Sequence, residues 1–233
     1  MTKGKILRFL FFALLILGAL WLSAVVAGKL VEKWQDRHID ANALFFSALN
    51  EVEGWQSYRF VLDGELTLNN YRAAKTVLRG EEDRDGNLHI LGEIMDTETE
   101  VYQFGSDHYR FLSASGEWKL LAESPLTDNG VLQMMIRPAL NFSFADTISV
   151  DYRGVVREDG EKYYRFVVVP KEGFHIADRY FTDFKYRIDI AAATKQITAA
   201  TIRGVSRTES ENVVLLHIRF FDINGDFRLE KPL

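Results

Sequence analysis

Hydrophobic and polar residues alternate along most of this chain, which is the pattern of β-strands that bury one face. In the first clear case, Tyr58 to Leu68, Phe60 and Leu62 share one face while Arg59 and Asp63 share the other. The same period of two returns at Thr76, Leu78 and Gly80; Leu88, Ile90, Gly92 and Ile94; Tyr102 and Phe104; Tyr109 and Phe111; Ile148, Val150, Tyr152 and Val156; Tyr164, Phe166 and Val168; Phe184, Tyr186, Ile188 and Ile190; Ile197 to Arg203; and Val214, Leu216, Ile218 and Phe220. The pattern predicts a mainly-β domain of about ten strands.

Residues that tolerate a positive φ stand between several of these strands. Asp85-Gly86, Gly105-Ser106 and Ser115-Gly116 each supply such a pair, and short turns of this kind connect antiparallel neighbours. We therefore expect neighbouring strands to pair in sequence order, as a sandwich or as one wide curved sheet.

Two segments show helical spacing instead. Phe45, Leu49 and Val52 recur at i, i+4 and i+7 after Asp40, a suitable N-cap, and Gly54 follows as a stop. The second segment lies between Asp128 and Phe142, where one helical face carries Val131, Leu132, Met135 and Ile136, followed by Pro138. About two helices are predicted to cover the sheet.

The N-terminal run from Phe9 to Gly28 is uncharged and long enough to span the roughly 30 Å hydrocarbon layer. It predicts a single-pass signal anchor; a cleaved secretory signal ending at Val25-Val26-Ala27 is the alternative. The basic residues that flank it are Lys3, Lys5 and Arg8 on one side and Lys29, Lys33 and Arg37 on the other. Because acids interleave with the second trio, we expect the N-terminus inside and the domain outside the cytoplasm, at the cell membrane.

These features predict a domain organisation. It comprises a cytoplasmic tail (1–8), a transmembrane anchor (9–28), a juxtamembrane segment (29–39) and an extracytoplasmic β domain (40–233). The fold class expected is an N-terminal transmembrane helix plus a mainly-β (α+β) domain, with a curved antiparallel sheet or half-barrel covered by two or so helices.

Composition narrows the functional classes. The chain has a formal net charge of −5, and three of its basic residues precede residue 9. An acidic domain disfavours nucleic acid, whose phosphates require a positive surface. Cysteine is absent, which excludes disulfides, thiolate metal sites and a lipid-attachment cysteine.

Residues for catalysis or metal binding do not form a recognisable motif. The five histidines are dispersed, and no phosphate loop or nucleophile elbow occurs. His89 and His217 fall on polar strand phases, which predicts solvent-facing side chains. Asp83–Asn87 and Asp222–Asp226 resemble calcium loops but lack the required glycine and glutamate spacing, so we predict hairpin turns at both. The sequence predicts no enzyme, no cofactor and no metal site.

Four segments resemble the lipoprotein-carrier (LolA-like) fold and its LppX-like relatives. Ala43–Phe60 is similar to the opening helix and first strand, and Glu100–Trp118 is similar to the central hairpin ending in a tryptophan. Tyr186–Lys195 resembles a later strand and turn, and Phe221–Pro232 resembles the closing segment, a turn followed by a strand and a proline.

The resemblance implies an open half-barrel with an apolar concave face, a helical lid and a cavity for acyl chains. The candidate ligand-cavity residues are Trp118, Leu132, Met135, Ile136 and Leu140. The alternative is that the residues of the helical segment fill the core and that Trp118 is a core or edge anchor. The function expected is a membrane-tethered extracytoplasmic binding module for a lipid or a lipidated partner in a bacterial cell envelope. The alternative is a sensory or structural domain that binds another envelope protein and takes no small ligand. The partners expected are the membrane, a lipid or lipoprotein, and an envelope protein.

Overall fold

Eleven antiparallel strands form one continuous sheet in the computed structural model, which describes residues 39–121, 130–143, 146–171 and 179–232. The strands are β1 (Tyr58–Leu68), β2 (Tyr71–Glu82), β3 (Leu88–Ile94), β4 (Thr97–Phe104), β5 (Asp107–Leu112), β6 (Glu117–Leu121), β7 (Thr147–Glu158), β8 (Glu161–Pro170), β9 (Phe181–Ala191), β10 (Ile197–Ser206) and β11 (Val213–Phe221). The helices are α1 (Ala41–Val52) and α2 (Gly130–Ile136), followed by a 3₁₀ turn (Pro138–Phe142).

The strand order is β6-β5-β4-β3-β2-β1-β11-β10-β9-β8-β7. The sheet therefore consists of two meanders, β1 to β6 and β7 to β11. Within each meander the strands pair in sequence order, as the turn residues predict. They join where the first strand pairs with the last, with Leu62 opposite Ile218. β1 itself has the bounds that the alternation predicts.

One face of the sheet, here called the inner face, carries the core. Phe60, Leu62 and Leu216 are buried there, and their neighbours on the same strands alternate outward because successive strand residues point to opposite faces. The buried core residues of the other strands include Leu78, Ile90, Phe166, Val168, Tyr186, Ile188, Ile202 and Ile218. The polar opposite face is here called the outer face.

Apolar side chains of the helical segments cover the inner face. On α1, Phe45 is fully buried and its ring centroid lies 5.5 Å from that of Phe166. Phe142 of the 3₁₀ turn contacts Tyr186 and Phe220, with centroids 6.4 and 5.9 Å apart. Both helical segments thus form at the positions that the spacing of their apolar residues predicts.

The predicted fold class is wrong as stated. The described sheet has eleven strands rather than about ten, and its helices α1 and α2 have 12 and 7 residues, whereas a membrane span needs about 20. Within the described ranges, no helix is both long and apolar enough to cross a membrane. The predicted anchor, Phe9 to Gly28, lies outside the described residues.

The C-terminal segment also differs from expectation. Asp83–Asn87 is a hairpin turn between β2 and β3, as predicted, but Asp222–Asp226 is a turn that no strand follows. Since β11 is already paired with β1 and β10, it offers no free edge for a further strand. The segment instead crosses the outer face, where Phe227 lies 4.4 Å from the Arg59 guanidinium and the Leu229 N–H donates to Asp83.

Candidate functional site

Two small cavities lie on the inner face. The first has a volume of about 200 Å³. It is lined by Gly64, Leu66, Ala74, Thr76, Met95, Met135, Tyr180, Phe181 and Val214. The β1, β2 and β11 residues of this set form its floor, and their apolar side chains suit a hydrocarbon more than a polar ligand.

The second cavity has a volume of about 140 Å³ and lies over β3 to β6. It is lined by Ile94, Thr99, Val101, His108, Arg110, Leu121 and Leu132. Its wall differs from that of the first cavity because it includes an imidazole and a guanidinium among the aliphatic side chains.

The helix α2 borders both cavities. Met135 lines the first and Leu132 the second, and these residues lie one turn apart on the same helical face. Met134, Met135 and Ile136 are all buried. Two consecutive residues at the end of β3 are also shared between the cavities: Met95 lines the first and Ile94 the second.

A buried amide holds α2 to the 3₁₀ turn that follows it. Asn141 is 1% exposed, and its Nδ2 donates to the carbonyl oxygens of Met134 at 2.9 Å and Pro138 at 3.0 Å. A glycan could not attach to an amide in this position, so the Asn141-Phe142-Ser143 sequon has a structural role.

Arg137, between α2 and the 3₁₀ turn, anchors the helix to the end of β2. It pairs with Glu82 and donates to the Gly86 carbonyl oxygen at 3.2 Å. Tyr58 donates to the same Glu82 carboxylate at 2.7 Å. Burial, followed by the charge of Glu82, raises the pKa of Tyr58 well above its ordinary value, so the phenol stays protonated in this network.

The predicted cavity residues fall at different places. Leu132 and Met135 line the two cavities, whereas Ile136 is 1% exposed and packs in the core. Leu140 lines a separate depression beside Arg137. Three of the five predicted residues therefore lie away from the two cavities or in the core.

Trp118, the remaining predicted residue, lies on the outer face. It pairs with Phe111 in the β5–β6 register, and its ring also contacts Tyr102. Arg110, the neighbour of Phe111, stands opposite the buried Val101 of β4 and lines the second cavity, so it faces inward. Side chains alternate along a strand, so Phe111 and Trp118 point outward.

Sequence reasoning missed the polar residues of the second cavity. His108 and Arg110 point to the same face of β5. The strand was predicted from Tyr109 and Phe111, which point to the other face. The available signal was the register: the inward residue Val101 of β4 stands opposite Arg110.

His108 is 6% exposed and is held by one hydrogen bond. Its Nδ1 lies 2.9 Å from the Ser106 carbonyl oxygen, so Nδ1 carries the hydrogen. Its Nε2 is buried and has no hydrogen-bond partner among the described residues. His108 also lines the second cavity, so a residue of this cavity carries a buried polar atom without a described partner.

The outer face is charged and extensively paired. Arg165 binds Asp189 through two parallel hydrogen bonds of 2.7 and 2.8 Å and contacts Glu158 at 2.7 Å. Glu158 and Asp189 border an open depression of about 1040 Å³, which is larger than either inner cavity. Its carboxylates Glu158 and Asp189 already bind Arg165, which makes it a weaker candidate for a small ligand.

His89 was predicted to face solvent, but its side chain is only partly exposed. It lies on the outer face, but its ring stacks on Tyr102 at 4.0 Å and its nitrogens lie 3.2 Å from carboxylate oxygens of Glu81 and Glu100. His217 is exposed, as predicted, beside Thr201. Across the described ranges, no group of three or more His, Cys, Asp or Glu is arranged to hold a metal ion.

Comparison with solved structures identifies the fold. The Mycobacterium tuberculosis lipoprotein LppX has 13% sequence identity and a TM-score of 0.54, with 81% of this chain and 97% of that chain covered. LprF from Mycobacterium bovis has 12% identity and a TM-score of 0.51, with 83% and 97% covered. No family model and no curated protein matches the sequence. The expected resemblance to LppX-like proteins is therefore confirmed at the level of the fold.

Proposed function

We propose that this domain binds a hydrophobic ligand, the acyl chain of a lipid or of a lipidated partner, on its inner face beneath α2. The observation that carries the proposal is the pair of cavities, both lined largely by apolar residues, that Leu132 and Met135 border from one helix. The LolA-like and LppX-like resemblance implies a site of this kind, and the inner face supplies apolar space for it.

The size of the cavities implies that α2 moves when a ligand enters. Volumes of about 200 and 140 Å³ are smaller than the roughly 300–1,000 Å³ of most ligand sites. Displacing α2 would join the two spaces across the inner face. Met134 and Met135 suit this role because unbranched thioether side chains repack against varied apolar surfaces.

The attachments of α2 are consistent with a lid. Its polar contacts to the rest of the domain include Arg137 with Glu82 and Gly86, at the C-terminal end of the helix. Asn141 bonds within the helix and turn, so it would keep the two together as they move. The C-terminal end would act as the hinge and the N-terminal end would open.

Location outside the cytoplasm and the lack of catalytic activity stay predictions of the sequence. The proposal does not depend on either, because an acyl chain needs only an apolar, water-excluding surface. The same binding would serve a lipid or the lipid moiety of a protein.

The proposal is tested by native mass spectrometry of the purified full chain, with extraction and identification of any bound lipid. We expect a lipid in stoichiometric amount. The variant Ala74→Phe, which fills the first cavity, should lose it, while Ala73→Phe, at the exposed neighbouring residue, should keep it. An unliganded mass that persists after incubation with membrane lipids would refute the proposal.

A second candidate function rests on the outer face. Large apolar side chains are exposed there, among them Leu91 at 46%, Leu120 at 53% and Phe221 at 45%. Phe221 also lines the large outer-face depression, and exposed apolar side chains are typical of protein contact surfaces. A lipid-free protein whose association with an envelope protein is lost in Leu120→Lys would favour this function instead.

A further inference from the structure

We infer that the second cavity is a headgroup subsite for an amphiphile whose acyl chain ends in an anionic group. This inference rests on the proposed function and adds the chemical class of its ligand. The residues that carry it are His108, Arg110 and Lys119.

The first observation is the buried imidazole. His108 Nδ1 is committed to the Ser106 carbonyl oxygen, and Nε2 is buried without a partner in the described part of the chain. A buried polar atom that lacks a hydrogen bond costs about 1–3 kcal/mol. A ligand oxygen at Nε2 would remove this cost, whether the proton lies on the imidazole or on the ligand.

The second observation is the charge beside this imidazole. Arg110 lines the same cavity and makes no ion pair or hydrogen bond with any described residue. Lys119 stands opposite Arg110 in the β5–β6 register, so it faces the same side of the sheet. In a chain with 33 acidic and 28 basic residues, a cation on the apolar face without a partner among the described residues indicates an anionic partner from outside the domain.

The third observation is the apolar remainder of the wall. Ile94, Leu121 and Leu132 line this cavity together with His108 and Arg110. They would contact the first methylene groups of the chain. The first cavity, on the other side of α2, would take the distal ones. Head and tail thus have separate surfaces that one displaced helix would connect.

Two classes of amphiphile share this chemistry: a free fatty acid, with a carboxylate, and a phospholipid, with a phosphate. Either anion would form charge-assisted hydrogen bonds with a guanidinium, which are roughly twice as strong as neutral ones. An uncharged ester of equal chain length would keep the apolar contacts and lose the ionic ones. Removing the charge should therefore weaken binding about 10-fold or more.

The test measures binding to the full chain, kept in solution with a fluorinated surfactant, whose chains mix poorly with hydrocarbon. The probes are palmitate, 1-palmitoyl lysophosphatidate and methyl palmitate, titrated at pH 8 by calorimetry. The variants are Arg110→Gln and His108→Leu. The control is Arg79→Gln, an exposed arginine of the outer face. Thermal unfolding checks that each variant is folded.

We expect one or both anionic probes to bind at least about 10-fold more tightly than the methyl ester. Arg110→Gln and His108→Leu should each reduce this preference, and Arg79→Gln should preserve it. The tighter anion identifies the headgroup as carboxylate or phosphate. Should Arg110→Gln fail to fold, His108→Leu alone decides.

Equal binding of all three probes to the wild-type chain would overturn the headgroup subsite and leave the proposed function intact. An equal loss of preference in Arg79→Gln would also overturn it, because a general charge effect would then explain the preference. If none of the probes binds, the proposed function fails together with the inference.

Discussion

Leu132 and Met135 lie one helical turn apart on α2, yet each lines a different cavity of the inner face. A short helix thus fills the middle of a surface that would otherwise offer one larger apolar space. This relationship links the fold to the proposed function, since the ligand and the helix would compete for the same face. It also makes the contacts that hold α2 in place the obvious targets for mutation.

Asn141→Asp should destabilise the domain by about 3 kcal/mol. The carboxylate cannot donate to the Met134 and Pro138 carbonyl oxygens and would be a buried unpaired charge. Chemical denaturation measures the effect. Asn70→Asp, at an exposed turn position that also carries a positive φ, should change the free energy of unfolding by less than about 0.5 kcal/mol. Equal effects of the two variants would contradict the structural role of Asn141.

Gly80→Ala should cost about 1–3 kcal/mol through overpacking. A Cβ at this position would lie 2.3 Å from the Phe60 ring and 2.9 Å from Ile90 Cδ1, both in the buried core. Gly54→Ala is the matched control, because its new Cβ would meet the Glu51 carbonyl oxygen at an ordinary 3.4 Å. Thermal unfolding of both variants should separate them, and a neutral Gly80→Ala would show that the inner face is loosely packed.

Asp83 should make the stability of the domain depend on pH below about 4. Burial alone would raise the pKa of this carboxyl, but hydrogen bonds from Leu229, Asn87 and Asp85 outweigh burial and lower the pKa below its ordinary value of 3.8. A lowered pKa in the folded state stabilises the fold above the unfolded pKa. This contribution is lost as pH falls through the folded pKa.

The measurement is the free energy of unfolding between pH 2 and 6 for the wild type and for Asp83→Asn. The variant should be less stable at pH 6 and should lose less stability on acidification. Asp85→Asn, at an exposed residue of the same turn, should follow the wild-type curve. Parallel curves for wild type and Asp83→Asn would exclude this linkage.

Asp189→Asn should destabilise the outer face by about 1–3 kcal/mol. Asp189 is buried and accepts two hydrogen bonds from Arg165, and removing its charge leaves the guanidinium poorly compensated. Asp151→Asn is the control: its ion pair with Arg153 is half exposed on both sides, and such pairs contribute little. If both variants lost the same free energy of unfolding, burial would not explain which ion pair stabilises the domain.

Much of the fold could be predicted from alternation and turn chemistry. β1 begins and ends at the predicted residues because its alternating apolar positions are buried in the core, between the neighbouring strands β2 and β11. The pairing of β1 with β11 could not be predicted, since the two strands are separated by nearly the whole domain and no local signal links them. The single wide sheet, rather than a sandwich, follows from this closing pair.

The candidate site was less predictable. Aromatic residues usually indicate the core, but on β4 and β5 Tyr102, Tyr109 and Phe111 point outward. The C-terminal segment accounts for part of this, because Lys231 lies over the rings of Phe104 and Tyr109. Trp118 follows the same outward phase. His108 and Arg110 point inward on β5. Only the strand register shows this, because it places Arg110 opposite the buried Val101.

Photo-crosslinking tests the central claim most directly. The full chain is incubated with palmitate bearing a terminal diazirine, irradiated, digested and analysed by peptide mass spectrometry, with crosslinks in residues 1–38 set aside. The account predicts crosslinks to the walls of the two cavities, above all at Met95, Met135 and Val214, and competition by unlabelled palmitate. Crosslinks confined to outer-face residues such as Leu91 and Leu120 would contradict it.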